Sequence, residues 1–524
     1  MTLVVVEVAR VIPDSDNSLT IPLTFFDIQW LGGHPVKRVF FYRLTESTRE
    51  HFHSFILPKL KLSLSLVLQN YLPLCGRITW EPNTPKPSIV VSQNDAVSVT
   101  IAERDSDFSL LSGYGRRPVS ELHTLIPELP ATDDSATACS LQITLFPNQG
   151  FSIGVSAHHA VLDGKTSSMF IKAWAHLCKQ HLENRVVSLP ENLTPSLDRS
   201  LLKDFTWLDE EMIEVVTSLK ADKTNKRGLS PIHQAMKLGD DVLMATLVLT
   251  RVDVERLRER VKSESSSPSC LLHLSTFVIA YAYAWTCLVK ARGGGNTDRT
   301  VNFSFTADLR KWLNPPLPAT YFGNCLFGRG CFNRKAAEFA EERGFVTAVE
   351  ILSDMVKGLS SLKVETIAKV HTAMIDSGRG CSQFGIVSGS NRLGVYESDF
   401  GWGRPVKVDV VSIDQGAMSM AERRDEAGGM EIGVCLKKAE MELGEEEALG
   451  LIMCLDGFTV KRLGGNICGG RDQGVNDGET SGGCWWMLLL LALSQRSKRD
   501  MRSHGGDNLR STMAYEALRF KEEL

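Results

Sequence analysis

The stretch Val155-Ser-Ala-His158-His159-Ala-Val-Leu-Asp163-Gly164 decides how this chain is interpreted. It contains the end of the apolar run Phe151–Ala157, which predicts a buried strand. It leads into Lys165–Lys179, whose apolar residues recur at the three- and four-residue spacing of a helix. His159 therefore lies at a strand–loop–helix junction, where a fold can present a general base at the mouth of a buried site. Because successive strand residues point to opposite faces, at most one of His158 and His159 serves that site. His159 could also have a purely structural role as a packed histidine, and this is the alternative to a role as general base.

The surroundings of this stretch carry more information than the bare pattern HxxxD, which is a weak signal by itself. Ser140–Phe146 is typical of a second strand, and the turn residues 147–150 separate it from Phe151–Ala157, so a hairpin is predicted. Far downstream, Asp399-Phe-Gly401-Trp402-Gly403 combines a carboxylate, two glycines and an indole. This second segment strengthens the functional interpretation of His159.

Composition is that of a soluble globular protein. The 524 residues suffice for two to four domains, and 43% hydrophobic and 23% charged residues are ordinary values. A net charge of -4 argues against nucleic acid or an anionic membrane as the main partner. The 12 cysteines show no CxxC pair and no metal-ligand spacing, which predicts free thiols in a reducing compartment and no metal site.

Targeting and membrane segments are not predicted. The N-terminal segment lacks the basic region of a signal peptide and is typical of a first strand. The longest unbroken apolar run, Cys484–Leu493, is too short to cross a bilayer as a helix. We therefore expect a cytoplasmic protein that works as a monomer.

Strand-like and helix-like segments alternate along the chain, which predicts an α/β fold. Further strands are predicted at Val36–Leu44, Val97–Ala102, Asp241–Leu249, Thr300–Thr306, Val406–Ile413 and Met430–Leu436. Further helices are predicted at Pro58–Tyr71, Val252–Lys262, Leu271–Arg292 and Ala336–Leu362. The proline-containing segment 190–238 shows little regular pattern and is the candidate interdomain linker. Glycine pairs and a loss of periodicity from about residue 464 predict a weakly ordered tail.

With a third motif, Tyr321-Phe322-Gly323-Asn324-Cys325, the chain resembles the plant BAHD acyltransferases. The resemblance is strongest to the branch that malonylates anthocyanins and phenolic glucosides. His159–Asp163 matches that family's HxxxD, Asp399–Gly403 its DFGWG, and Tyr321–Cys325 the YFGNC of the malonylating branch. Flanking segments such as Pro22–Asp27 agree. Three motifs in the family's order, between about residues 5 and 440, make this a specific signal.

The resemblance implies a fold like that of chloramphenicol acetyltransferase. Two α/β domains of similar size, with mixed sheets, would be joined by a crossover loop and separated by an active-site channel. We expect an N-terminal domain at residues 1–190, a crossover linker at 191–238, a C-terminal domain at 239–443 and an atypical tail at 444–524. Acyl-CoA would enter one end of the channel and the acceptor the other, with HxxxD midway.

The activity implied by the resemblance is transfer of a malonyl or similar aliphatic acyl group from acyl-CoA to a sugar hydroxyl of a flavonoid, anthocyanin or phenolic glucoside. Acyl-CoA, with malonyl-CoA expected, is a co-substrate, and no bound cofactor is implied. His159 would act as general base without an acyl-enzyme. The Trp402 indole N–H is a candidate donor to the oxyanion by analogy with relatives. Asp163 would pair with an arginine that the sequence does not identify.

Structural alternatives apply to two of the motifs. Gly401 and Gly403 fit a tight turn, and Trp402 fits ordinary packing. Asp399 fits an ion-pair partner better than a catalyst. The segment Tyr321–Cys325 is interpreted mainly as a signature of the malonylating branch, and only secondarily as part of the lining of the acyl pocket.

Basic groups at the channel mouth are needed for the phosphates of CoA. Arg256 and Arg260 are four residues apart and so share one face of the predicted helix Val252–Lys262. Lys262, Ser263 and Ser275 lie near them in sequence. The alternative is a solvated charged helix face. Malonyl carries a carboxylate that also calls for a cation, which the sequence does not single out.

Two other functions remain open. His158–Gly164 also reads HHxxxDG, the signature of peptide-synthetase condensation domains, although those lack DFGWG and YFGNC. A non-catalytic relative that binds a ligand or partner is the second alternative. The segment after Gly444 shows no family resemblance, and we hypothesise an altered reading frame or unspliced sequence there, which sequencing of the transcript tests.

Overall fold

The computed structural model describes most of the chain up to residue 442. The described residues are 3–13, 18–44, 48–183, 185, 188–220, 225, 227–230, 241–293, 297–378, 380–413 and 417–442, and they belong to one structural unit. The predicted weakly ordered tail lies outside them, as does part of the predicted linker. Among the described helices, none has the length and apolar character needed to cross a membrane.

Seventeen strands are described. They are β1 Leu3–Val11, β2 Leu19–Pro22, β3 Val36–Arg43, β4 Arg77–Thr79, β5 Ser88–Val91, β6 Val97–Arg104, β7 Arg117–Pro118, β8 Ser135–Thr137, β9 Cys139–Phe146, β10 Gly150–Ala157, β11 Val242–Leu249, β12 Thr300–Asp308, β13 Leu326–Lys335, β14 Gln383–Ser390, β15 Lys407–Val410, β16 Met418–Glu422 and β17 Met430–Lys437. Every strand predicted from sequence is present, and β15 is shorter than predicted.

Twelve α-helices are described. They are α1 Phe25–Ile28, α2 Arg49–His51, α3 Leu57–Leu68, α4 Phe108–Leu111, α5 Val119–His123, α6 Gly164–Leu182, α7 Trp207–Ser218, α8 Arg251–Glu264, α9 Thr276–Gly293, α10 Ala337–Ala340, α11 Gly344–Lys357 and α12 Ile367–Gly378. The prediction of one helix over Ala336–Leu362 is wrong, because α10 ends before Gly344 and α11 begins there. The predicted linker is not wholly irregular, since it contains α7.

A six-stranded mixed sheet forms the first half of the fold, in the order β1-β6-β9-β10-β3-β15. The predicted hairpin of β9 and β10 is confirmed, with Phe146 opposite Gly150 and Cys139 opposite Ala157. Both strands are buried along their whole length. Helix α6 follows β10 directly and packs on α3, where the Trp174 indole N–H donates to the Leu60 carbonyl. The strand–loop–helix junction at His159 is therefore held on rigid elements.

A seven-stranded mixed sheet forms the second half, in the order β13-β12-β14-β16-β17-β11-β7, with α9 and α11 packed together beside it. A smaller sheet, β2-β5-β4-β8, completes the fold. The two large sheets exchange strands. β15 pairs with β3 in the first sheet, and the two-residue strand β7 pairs with β11 in the second. The halves are therefore interlocked through strands as well as packed together.

Candidate active site

The two adjacent histidines occupy different environments. His158 is 6% exposed, and its Nδ1 accepts a hydrogen bond of 3.2 Å from the Ala160 N–H, so its role is structural. His159 is less buried, and its ring stacks on the Trp30 indole with centroids 3.9 Å apart and planes 8° apart. The alternation predicted from sequence therefore leaves His159 as the histidine available for chemistry.

The protonation state of His159 suits a base. Burial lowers the pKa of its imidazole, and the opposing influence of the Asp163 carboxylate does not restore the ordinary value. The positive charge of Arg38 lowers this pKa further. A histidine with a pKa below 6.5 is neutral at pH 7 and can accept a proton.

Asp163 is a structural partner. Its carboxylate caps α6 by accepting a 2.9 Å hydrogen bond from the Thr166 N–H, and its other oxygen lies 2.8 Å from Nη2 of Arg310. Asp163 is fully buried and Arg310 is 2% exposed. The structure thus identifies the arginine that the sequence left open.

Arg310 also binds the YFGNC segment. Its Nη2 donates to the carbonyl oxygens of Tyr321 at 3.3 Å and Gly323 at 2.9 Å, and its Nη1 donates to Asp308 at 3.0 Å. Burial lowers the pKa of Arg310, but Asp163 and Asp308 outweigh that effect and raise it above its ordinary value. One permanent cation therefore fixes the turn after His159 to a loop from the other half of the chain.

Asn324 connects the YFGNC segment to the base itself. Its Nδ2 donates to the backbone carbonyl of His159 at 2.8 Å, and its N–H and Nδ2 donate to Oδ1 of Asp27 at 2.9 and 3.1 Å. The preceding Gly323 has φ +120°, and a Cβ there would lie 2.9 Å from Nη2 of Arg199. The segment that the sequence marked first as a branch signature positions the backbone of His159.

Sequence reasoning missed Asp27, Trp30, Arg38 and Arg199 as site residues. Asp27 is a fully buried carboxylate inside an apolar run, and that pattern was a usable signal. Arg199 comes from the crossover segment; its guanidinium lies 4.6 Å over the Tyr321 ring and donates to the Phe322 carbonyl. Cys325 is buried, and burial raises the pKa of its thiol, so it is not a nucleophile. No cluster of three or more potential metal ligands occurs in the part of the chain that the structure describes.

The DFGWG segment is at the wrong end of β10 for catalysis. The Trp402 ring packs edge-on against Phe151, with centroids 6.5 Å apart, near the start of β10, whereas His159 follows its end. From Phe151 to Ala157 a strand rises about 20 Å, at roughly 3.3 Å per residue. This placement contradicts Trp402 as the oxyanion donor and favours the structural alternative.

A tight turn accounts for the other residues of this segment. Asp399 pairs with Lys179 at 2.7 Å and accepts the N–H groups of Gly401 and Gly403, each at 2.9 Å. The two glycines have φ +104° and +100°, a backbone region that other residues rarely adopt. Asp399 is the ion-pair partner that the sequence predicted.

The residues predicted for CoA binding all lie on or near α8 and at the start of α9. Arg260 pairs with Glu264 at 2.8 Å and Lys262 with Glu259 at 2.7 Å, while Ser263 donates to the Arg260 carbonyl. Their charges are thus partly matched within the helix. Of the remaining two, Arg256 is exposed, and Ser275 is partly buried and accepts the Val278 N–H through its hydroxyl. The structure does not bring this group to His159.

A cavity lies between the two large sheets, where a channel was expected. Its lining includes Arg38 and Lys407 from the first sheet and Thr246, Gly389 and Glu431 from the second. Arg38 also contacts the helix that follows His159, because its Nη1 donates to Ser168 in the first turns of α6 at 2.7 Å. His159 does not line this cavity, and Arg38 is the lining residue whose charge acts on the His159 imidazole.

Comparison with known proteins agrees with this architecture. A family model described as the Transferase family matches residues 2–449. The chain is 68% identical over 449 residues to phenolic glucoside malonyltransferase 2 of Arabidopsis thaliana, covering 84% of this chain and 97% of that protein. It is 48% identical over 454 residues to malonyl-CoA:anthocyanidin 5-O-glucoside-6''-O-malonyltransferase of Arabidopsis thaliana, covering 85% and 98%.

The fold matches that of a solved structure. The crystal structure of vinorine synthase superposes with a TM-score of 0.63 at 21% identity, covering 86% of this chain and 98% of that one. The predicted two-domain α/β fold with mixed sheets is thereby confirmed. Residues beyond 449 lie outside the family match. The chain belongs to the Transferase family, the family of the BAHD acyltransferases.

Proposed function

We propose that this protein transfers a malonyl group from malonyl-CoA to a sugar hydroxyl of a phenolic or anthocyanin glucoside, with His159 as general base. The observation that carries the proposal is the position of the His159 imidazole, which stacks on Trp30 and is held through its backbone carbonyl by Asn324. The named activities of the two relatives support the choice of donor and acceptor.

The reaction needs a base because a sugar hydroxyl is a poor nucleophile at neutral pH. His159 accepts the hydroxyl proton as the oxygen attacks the thioester carbonyl carbon. The tetrahedral intermediate then collapses, the carbon–sulfur bond breaks, and His159 returns the proton to the CoA thiolate. General-base assistance of this kind is worth roughly 10²–10⁴-fold. Binding both substrates in one channel supplies further acceleration through proximity.

Two clamps keep the base in place in this proposal. The Asp163–Arg310 pair fixes the turn after His159, and the Asp27–Asn324 pair fixes its carbonyl. A base that moves by an ångström loses much of its effect. These four residues are therefore positioning residues rather than catalytic ones.

The cationic face of α8 retains its predicted role at the CoA phosphates as part of the same proposal. Arg256 is exposed there, and a solvated guanidinium can exchange its partners when a phosphate arrives. Scattered cysteines without disulfide spacing support a cytoplasmic setting, in which we expect a monomer.

A donor-by-acceptor matrix tests the function. Purified protein is incubated with malonyl-, acetyl- or hydroxycinnamoyl-CoA and a panel of phenolic, flavonoid and anthocyanin glucosides, and products are identified by mass spectrometry. We expect a mass gain of one malonyl group, and a turnover loss of at least about 10² for His159→Ala.

Four results would contradict the proposal. Normal turnover by His159→Ala would exclude the base. Free CoA without a mass gain on any glucoside would indicate thioester hydrolysis alone. Absence of both, in protein that melts cooperatively, would favour the non-catalytic alternative, and activity with carrier-protein thioesters would favour the condensation-type one.

A further inference from the structure

Under the proposed function, on which this inference rests, the malonyl group places strict limits on where its carboxylate binds. That carboxylate is one methylene away from the thioester carbonyl that the acceptor hydroxyl attacks. It must therefore be bound beside the base, deep in the site. A carboxylate taken out of water there needs a cation with unused N–H donors.

Arg38 lies where such a cation is needed. It belongs to β3 and pairs across the sheet with Val155, while Val36 pairs with Ala157, two residues before His159. Its side chain is 3% exposed and lines the interdomain cavity. It is also the one arginine whose charge acts on the His159 imidazole among the interactions that set this pKa.

The Arg38 guanidinium is under-paired. Nη1 donates to Ser168 Oγ at 2.7 Å, whereas Nε has no hydrogen-bond partner among the described residues. No described carboxylate lies within 4 Å of it. Two carboxylates act on it from farther away. Asp163 pairs with Arg310, and one oxygen of Glu422 accepts the Tyr396 N–H at 3.2 Å, whereas its other oxygen is buried without a hydrogen-bond partner among the described residues. Burial lowers the pKa of Arg38 to about 10, and those two carboxylates offset this only in part.

The other cations near the base have carboxylate partners. Lys407 also lines the cavity, but it lies 3.3 Å from Asp409 and 3.1 Å from Glu431. Arg310 is occupied by Asp163 and Asp308. Arg38 is thus the described cavity cation that still has donors to offer.

We propose that Arg38 binds the terminal carboxylate of the acyl donor and thereby selects malonyl-CoA over acyl-CoAs with neutral ends. The Ser168 hydroxyl holds the guanidinium in position for this contact. An acetyl donor has no group for Arg38 to bind, so Arg38 acts on acetyl transfer only through the pKa of His159, on which burial has the larger effect.

The test compares kcat/KM for malonyl-CoA and acetyl-CoA with one glucoside acceptor. Arg38→Gln should lower the value for malonyl-CoA roughly 10- to 100-fold, as expected for a lost charge-assisted contact. The value for acetyl-CoA should stay within about threefold. For Arg38→Lys, kcat/KM with malonyl-CoA should lie between the wild-type and Arg38→Gln values, because lysine keeps the charge but lacks the planar guanidinium. Arg43→Gln is the matched control, since Arg43 is exposed at the end of the same strand, and it should change neither value.

Equal losses with both donors, or no loss with either, would overturn the assignment. Should Arg38→Gln fail to fold, the same comparison is made with Arg38→Lys and Ser168→Ala. An unchanged ratio of kcat/KM for malonyl-CoA to kcat/KM for acetyl-CoA in both variants would overturn the assignment. A wild-type enzyme that forms no malonylated product refutes the proposed function. A wild-type enzyme that malonylates, with variants that keep its donor preference, refutes the role of Arg38 alone.

Discussion

At the scale of single residues, the site works because burial and charge act on His159 together. Burial keeps its imidazole neutral, and Asn324 holds its carbonyl. The sequence supplied the base, its pattern and the pairing of Asp163 with an arginine. It did not identify Arg310, Asn324 or Asp27 as partners, because each lies far from His159 along the chain and meets it only through folding.

The lowered pKa of His159 predicts how the rate depends on pH. The protonated, inactive imidazole accumulates only below the lowered pKa. The acid limb of kcat/KM for the free enzyme should therefore have its midpoint below 6.5, with a flat region above it. A pH profile over the acid and neutral range measures this, with the residual rate of His159→Ala as the control that should lack the limb. A midpoint at or above 7 would contradict the assigned environment.

At the scale of elements, local patterns gave local structure. The β9–β10 hairpin was predictable because its turn residues and alternating strands are adjacent in sequence. The break between α10 and α11 was not, because the run Ala336–Leu362 is helical in pattern throughout and the break depends on packing of Gly344 against the Phe339 backbone. The glycines of the DFGWG turn were predictable from its sequence, whereas the choice between a packing and a catalytic role for Trp402 needed its position beside Phe151, which favours packing.

That turn yields a prediction for stability without catalysis. Gly401→Ala forces a side chain into φ +104° and should cost about 2 kcal/mol of unfolding free energy. Gly115→Ala, whose added methyl meets nothing within 4 Å, is the matched control. Trp402→Phe should keep kcat within about threefold. Denaturant unfolding and steady-state kinetics measure both effects, and a large fall in kcat for Trp402→Phe with unchanged stability would restore its catalytic role.

At the scale of the whole molecule, buried charges fasten the exchanged strands. Arg117 of β7 forms an ion pair with Asp409 of β15, and Lys407 lies 3.3 Å from the same carboxylate. Burial raises the pKa of Asp409, but Arg117 and Lys407 outweigh it and hold the pKa below 3.8. The stability from this carboxylate is therefore present above pH 3.8 and is lost as the pH falls through the lowered pKa.

Removing the charge of Asp409 should lower the free energy of unfolding. Asp409→Asn leaves two buried cations with less compensation and should cost about 3 kcal/mol of unfolding free energy at pH 7. Asp354→Asn removes an exposed partner of Lys357 and should cost less than about 0.5 kcal/mol. Denaturant unfolding compares the two, and similar small losses would show that the cluster does not hold the halves together.

The sequence by itself determined the family, the α/β class, the candidate base His159 and the elements that carry it, because these depend on motifs and periodicities of adjacent residues. Only the tertiary structure decided which arginine pairs with Asp163, that Trp402 packs on Phe151 near the start of β10 whereas His159 follows its end, and that β7 and β15 change sheets. The physical reason is that these contacts join residues that are far apart along the sequence. A strand of two or four residues has too little pattern to predict its partner, and an ion pair forms wherever folding brings two charges out of water together.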